Sequence, residues 1–140
     1  LAINTEYIVT VPVDAAKAVS SNQTNAEITL HFTTASSSLN MVSSDPVNNA
    51  ADMPLGQTIT VTFNQDIQAG DNYTNISLTT GGQPAAVTCS IAGSVLTVDP
   101  NNDLTANTTY TFLIPAGALK DLDNTAVNAE ISVQFTTGTA

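Results

Sequence analysis

The sequence predicts an all-β fold, a two-sheet sandwich, on three observations. Apolar and polar residues alternate at period two in run after run. Clusters of Gly, Pro and Asn cut these runs short, and Thr and Asn contribute 22 and 14 of the 140 residues. Alternation sends successive side chains to opposite faces, so each run reads as a strand with one buried face. Thr suits a half-buried pleated surface, and Asn suits turns.

The first two runs, residues 6–12 and 27–34, should pair as a hairpin whose inward set is Tyr7, Val9, Val11, Ile28, Leu30 and Phe32. Further on, residues 58–63 alternate Ile59, Val61 and Phe63 with threonines, and Ile76 and Leu78 alternate with Ser77 and Thr79. Val87, Cys89 and Ile91 follow, then Leu96 and Val98, then Tyr110, Phe112 and Ile114, and last Ile131, Val133 and Phe135. These sets form the expected core, with Cys89 acting as a small buried hydrophobe. The turn clusters include Asp45-Pro46, Met53-Pro54-Leu55-Gly56, Gly81-Gly82 and Ala92-Gly93-Ser94. Glycine supplies positive φ there and proline fixes φ near −65°. Only residues 13–19 and 116–122, each just after a proline, are expected to hold a helical turn.

A repeat organises the chain. Residues 1–34 align with 104–137 without a gap at a shift of 103, and 14 of the 34 pairs are identical. The matches include Tyr7 with Tyr110, Pro12 with Pro115, Lys17 with Lys120, residues 25–28 with 128–131, and 32–34 with 135–137. A period this long makes each unit a domain rather than a solenoid turn. Residues 1–35 are therefore expected to be the C-terminal third of a preceding repeat, 36–38 a short tether, and 39–138 a complete domain. The two strands of the incomplete repeat expose an apolar face, and are expected to dock on a second copy or on a neighbour's sheet edge.

Charge narrows the partners. Twelve acidic residues against Lys17 and Lys120 give a net charge of −10, with no Arg. A nucleic-acid partner needs clustered cations, so none is expected, and an anionic leaflet is disfavoured for the same reason. No apolar run approaches the ~20 residues of a membrane span, so no membrane insertion is expected. The lone Cys89 excludes an intrachain disulfide and a multi-cysteine zinc site.

Residues 43–67 (SSDPVNNAADMPLGQTITVTFNQDI), 95–124 (VLTVDPNNDLTANTTYTFLIPAGALKDLDN) and 131–137 (ISVQFTT) together resemble the bacterial immunoglobulin-like domain of S-layer proteins of the SbsA type. Each motif is a strand or turn pattern, and their order and spacing carry the likeness. One departure is at Asp123-Asn124-Thr125, where the family usually has a glycine beside asparagine, and a modified turn is expected there. The resemblance implies an immunoglobulin-like sandwich of about seven strands, a non-catalytic repeated module on secreted or cell-surface bacterial proteins. Its implied partners are neighbouring Ig-like repeats of the parent chain, and it implies no catalytic residue and no resident cofactor.

Calcium is the one ion to weigh. Asp121, Asp123, Asn124 and Asn128 crowd one loop, and calcium takes six to eight oxygen ligands. The first copy has Ala18, Ser20, Ser21 and Asn25 at those places, so three of the four oxygens change character or vanish. Asx side chains also hold turns by bonding backbone amides. Asp99, Asn101, Asn102 and Asp103, with Asp66 and Asp71, form a second acidic group of the same double meaning. His31 should face outward between Leu30 and Phe32, without a second histidine to form a metal pair. A catalytic Cys89 would need a nearby base to form its thiolate, and the sequence offers none in its own unit. The module is expected to act as a structural spacer or adhesion stalk, with two rival readings: a calcium-stabilised adhesin module, and an accessory, carbohydrate-associated domain of a secreted enzyme.

Overall fold

A computed structural model describes residues 1–2, 5–34 and 38–140. The chain divides into two compact units, Leu1–Ser37 and Ser38–Ala140. Apart from Ser38, the tether expected at 36–38 lies outside the described residues.

In the first unit, β1 (Glu6–Val11) pairs antiparallel with β2 (Ile28–Thr33). The register sets Tyr7 opposite Phe32, Val9 opposite Leu30 and Val11 opposite Ile28, so one face of the hairpin is wholly apolar. The Tyr7 and Phe32 rings stack with centroids 5.8 Å apart.

The second unit is a sandwich. One sheet has the order β3 (Met41–Asp45), β5 (Ile59–Phe63), β10 (Val95–Pro100), β9 (Val87–Ala92). The other runs β4 (Ala50–Met53), β13 (Ile131–Thr137), β11 (Thr109–Ile114), β7 (Ser77–Thr80), β8 (Gln83–Ala85). A short pair, β6 (Ile67–Ala69) with β12 (Leu119–Asp121), completes it. The opening stretch is divided between the sheets: it leaves β3 through the cis Asp45–Pro46 bond and joins the other sheet as β4, parallel to β13. That division, together with the short β6–β12 pair and the β7–β8 hairpin, raises the strand number above the expected seven.

Alternation places the core as expected over most of its length. Ile59, Val61, Phe63, Leu96 and Val98 from one sheet meet Leu78, Tyr110, Phe112, Ile114, Val133 and Phe135 from the other in a single buried cluster. Val87, Cys89 and Ile91 are only half-buried. Their strand, β9, lies at a sheet edge, with β10 as its sole ladder partner among the described residues. Ile131, at the start of β13, is also half-buried.

The helical turns expected at 116–122 and 13–19 are not formed. Gly117 takes φ +72°, which breaks a right-handed helix, and residues 119–121 then extend as β12 against β6. Asp14, the counterpart of Gly117, has φ +66° and turns the chain in the same way. The helical turn among the described residues is the 3-10 segment Tyr73–Asn75.

Candidate functional site: the acidic loop after the twelfth strand

The loop after β12 gathers three of the four candidate ligands. Asp121, only 4% exposed, accepts hydrogen bonds from Thr125 N at 2.7 Å, Thr125 Oγ1 at 2.6 Å and Ala126 N at 3.1 Å. Its carboxylate therefore closes its own loop, an arrangement that charge-assisted bonds favour. Asn124 has φ +58°, so asparagine itself supplies the left-handed residue where the family's glycine would stand. From β6, Gln68 Nε2 donates to Asp121 O at 2.8 Å and to Leu122 O at 3.2 Å, tying the loop to the neighbouring strand. Asp123 is exposed and lines an open recess of about 210 Å³ with Gln65, Asp66, Asp121 and Leu122.

Asn128 belongs to a different network. It is 2% exposed, its Oδ1 accepts Leu119 N at 2.8 Å, and its Nδ2 donates to Pro115 O at 2.9 Å and Ala129 O at 2.7 Å. The fourth candidate is thus committed to the backbone of Pro115, Leu119 and Ala129. Among the described residues, no group of three or more His, Cys, Asp or Glu is placed to hold a metal ion.

Two of the other polar candidates, Asp99 and Asn101, are engaged within their own unit. Asp99 accepts Thr58 Oγ1 at 3.0 Å, and Asn101 Oδ1 accepts Thr88 Oγ1 at 2.7 Å. On the outer face of the hairpin, His31 Nδ1 lies 3.2 Å from Glu6 Oε1. Burial pushes the Cys89 thiol above its usual range, the reverse of what a nucleophilic thiol requires. The Tyr73 phenol is raised by burial first and by the Cys89 charge second.

Residue-level reading of the sequence misses the function of the repeated polar positions. Asn25 reproduces Asn128 bond for bond: Oδ1 accepts Ala16 N at 2.7 Å, while Nδ2 donates to Pro12 O at 2.8 Å and Ala26 O at 2.7 Å. Thr137 Oγ1 donates to Thr105 O at 2.6 Å and accepts Thr108 N at 3.0 Å; Thr34 Oγ1 makes the equivalent bonds to Ala2 O at 2.5 Å and from Thr5 N at 3.0 Å. Tyr110 Oη accepts Thr105 N, and Tyr7 Oη accepts Ala2 N. Identity between the two copies at 7/110, 25/128 and 34/137 was the available signal. Chemically these groups do one thing: they satisfy backbone donors and acceptors where the ladders stop.

The sequence profile of the bacterial Ig-like domain matches residues 35–137. The chain belongs to this family. In fold, this bacterial Ig-like domain is similar to the N-terminal part of the bacterial S-layer protein SbsC, with a TM-score of 0.52 and 21% identity over 73% of this chain and 24% of that one. It is also similar to an L,D-transpeptidase from Mycobacterium smegmatis, with a TM-score of 0.46 and 16% identity over 71% of this chain and 40% of that one. The Ig-like chain spans less than half the length of either protein. No curated protein matches it in sequence. No helix among its described residues is long and apolar enough to cross a membrane.

Proposed function

We propose that this bacterial Ig-like domain is a non-catalytic structural module of a large secreted or cell-surface bacterial protein, a spacer or adhesion stalk whose neighbours are further Ig-like repeats. The observation that carries this reading is how the chain enters and leaves the second unit. Leu39 bridges to Asn128, near the start of β13, while Thr137 at its end pairs with Met53. The unit is therefore entered beside the start of β13 and left at its end, with β4 paired parallel to that strand. Tension along a stalk would shear that pair, loading Asn49 N to Gln134 O at 2.7 Å, Gln134 N to Asn48 Oδ1 at 2.9 Å and Gly138 N to Met53 O at 2.9 Å together. Bonds loaded in parallel resist more than bonds opened one after another.

The fold likeness to an S-layer protein and the SbsA-type pattern in the sequence support a surface setting. The commitment of Asp121, Asn128 and Thr137 to backbone supports a structural module over an enzyme.

The first unit is a built-in control. Thr5 and Thr34 meet at one end of its hairpin, so pulling on that unit unzips the ladder. Stretching single molecules held at both termini should give an early low-force event for the hairpin and a separate, several-fold higher event for the sandwich. Opening of the sandwich at the hairpin's force would refute the load-bearing reading.

A further inference from the structure

The hairpin of the first unit carries an apolar face that the described residues of its own unit leave uncovered. Val9, Ile28, Leu30 and Phe32 are 47%, 55%, 59% and 38% exposed, whereas Val133 and Phe135, the counterparts of Leu30 and Phe32, are 2% and 1% exposed. Yet the hairpin has the backbone frame of a finished domain, since the Asn25, Thr34 and Tyr7 bonds repeat those of Asn128, Thr137 and Tyr110. We propose that this face is half of a second sandwich core, covered by a separate strand set of the design of residues 39–100, carrying a larger side chain where it meets Val9. The inference goes beyond the stalk reading and rests on the internal repeat alone.

The second unit shows what such a cover supplies. β11 and β13 are closed by Ile59, Val61, Leu96 and Val98 across the core. They are flanked in their own sheet by β7 at one edge, with Phe112 opposite Leu78, and by β4 at the other, with Phe135 opposite Ala50. Among the described residues, the equivalent edges of β1 and β2 have no third strand.

The chain's own residues 39–100 cannot be that cover. They are already engaged by β11 and β13. To exchange places, Thr34 would have to reach the position of Thr137, nine residues along from Asn128, which bridges Leu39. That is about 30 Å of extended chain, and the five Cα steps from Thr34 to Leu39 span at most about 18 Å.

The occupant also differs in shape. Val11 for Ile114 loses a methylene, and Leu30 for Val133 gains one on the same face. Val9 for Phe112 removes most of a ring with nothing in the hairpin to restore it. Close packing requires the missing volume to come from the other side, and the position of Leu78, cross-strand from Phe112, is placed to supply it.

The test duplicates residues 38–103 in front of Leu1 in the full chain, so that Asp103 joins Leu1 as it naturally joins Leu104. Amide exchange at 6–11 and 28–33 should slow by about a hundredfold or more against the 140-residue chain, and binding of an apolar dye should be lost. Leu78→Phe in the added copy alone should slow exchange further. Because the first version risks packing poorly at Val9, Val9→Phe in the same chain restores the residue found in the complete unit. If the hairpin stays unprotected in that variant too, the proposal is overturned. If the 140-residue chain dimerises at micromolar concentration and its hairpin amides become protected on dimerisation, a second copy is the occupant and the proposal is overturned as well.

Discussion

Replacing Asn128 with alanine tests the claim that the loop polar groups are structural. The side chain makes three hydrogen bonds at 2.7–2.9 Å from a position 2% exposed. Each contributes roughly 1 kcal/mol net, and leaving the buried Leu119 N–H unpaired adds a desolvation cost of about 1–3 kcal/mol. The lower end of that sum is a loss of about 4 kcal/mol, against roughly 5–15 kcal/mol for a domain of this size. At about 4–8 °C per kcal/mol, the midpoint of the main thermal transition should fall by on the order of 15–30 °C. Asn25→Ala removes the same three bonds in a partly exposed setting of the first unit, where water replaces them, and should move that transition by less than about 3 °C. Calorimetry of both variants at one pH measures the contrast. Equal shifts, or a fall below about 5 °C for Asn128→Ala, would refute the assignment of Asn128 as a buried backbone clamp.

A methyl group at Gly70 would press on Gly117 O and lie 3.1 Å from Ala118 C, both backbone, so Gly70→Ala should cost about 2 kcal/mol and loosen the β6–β12 pair, read as faster amide exchange at Gln68 and Lys120. Unchanged exchange there would contradict the close approach. Cys89 should react with a thiol reagent at least tenfold more slowly in the native state than in denaturant, because burial raises its pKa and lowers the thiolate fraction. Since the folded state favours the neutral thiol and the neutral Tyr73 phenol, their contribution to stability is fully present below the unfolded pKa values. It is lost as pH rises above about 8.5, and Cys89→Ala should remove the first part of that alkaline decline in melting temperature. Chelator should shift the melting temperature by no more than about 2 °C, whereas a large calcium-reversible fall would favour the adhesin reading, since a ligand bound only to the folded state stabilises it by mass action.

What could be read in advance follows from which interactions are local. Alternation in 59–63 and 110–114 is a property of each strand alone, so the buried sets there could be named without knowing their neighbours. The same alternation in 87–91 picks the right face but cannot say that β9 is an edge, and Cys89 stays half-exposed for that reason. Ile67, Leu104 and Leu119 complete the core from short strands and a turn, where no period exists to mark them. The run 116–122 departs from its helical pattern because two things override it: the left-handed Gly117, and Asn128 bonding Leu119 N from nine residues downstream. Asn and Asp are equally good at clamping a turn and at binding calcium, so composition alone leaves Asp121 and Asn128 undecided. The duplicated hairpin separates them. Both copies keep the asparagine, with the same three bonds. Only one keeps the acid: the loop with Ala18 closes through Ala18 N to Gln23 O at 2.8 Å as the loop with Asp121 closes through Asp121 N to Ala126 O at 3.0 Å. The closing backbone bond therefore forms without the carboxylate, while the turn itself takes another form: Asn22 N donates to Ala18 O with Asn22 left-handed, whereas Asn124 N donates to Asp121 O with Asn124 left-handed. Asn128 is the position where substitution should reach the fold, and Asp121 is the one where the chain had freedom to vary.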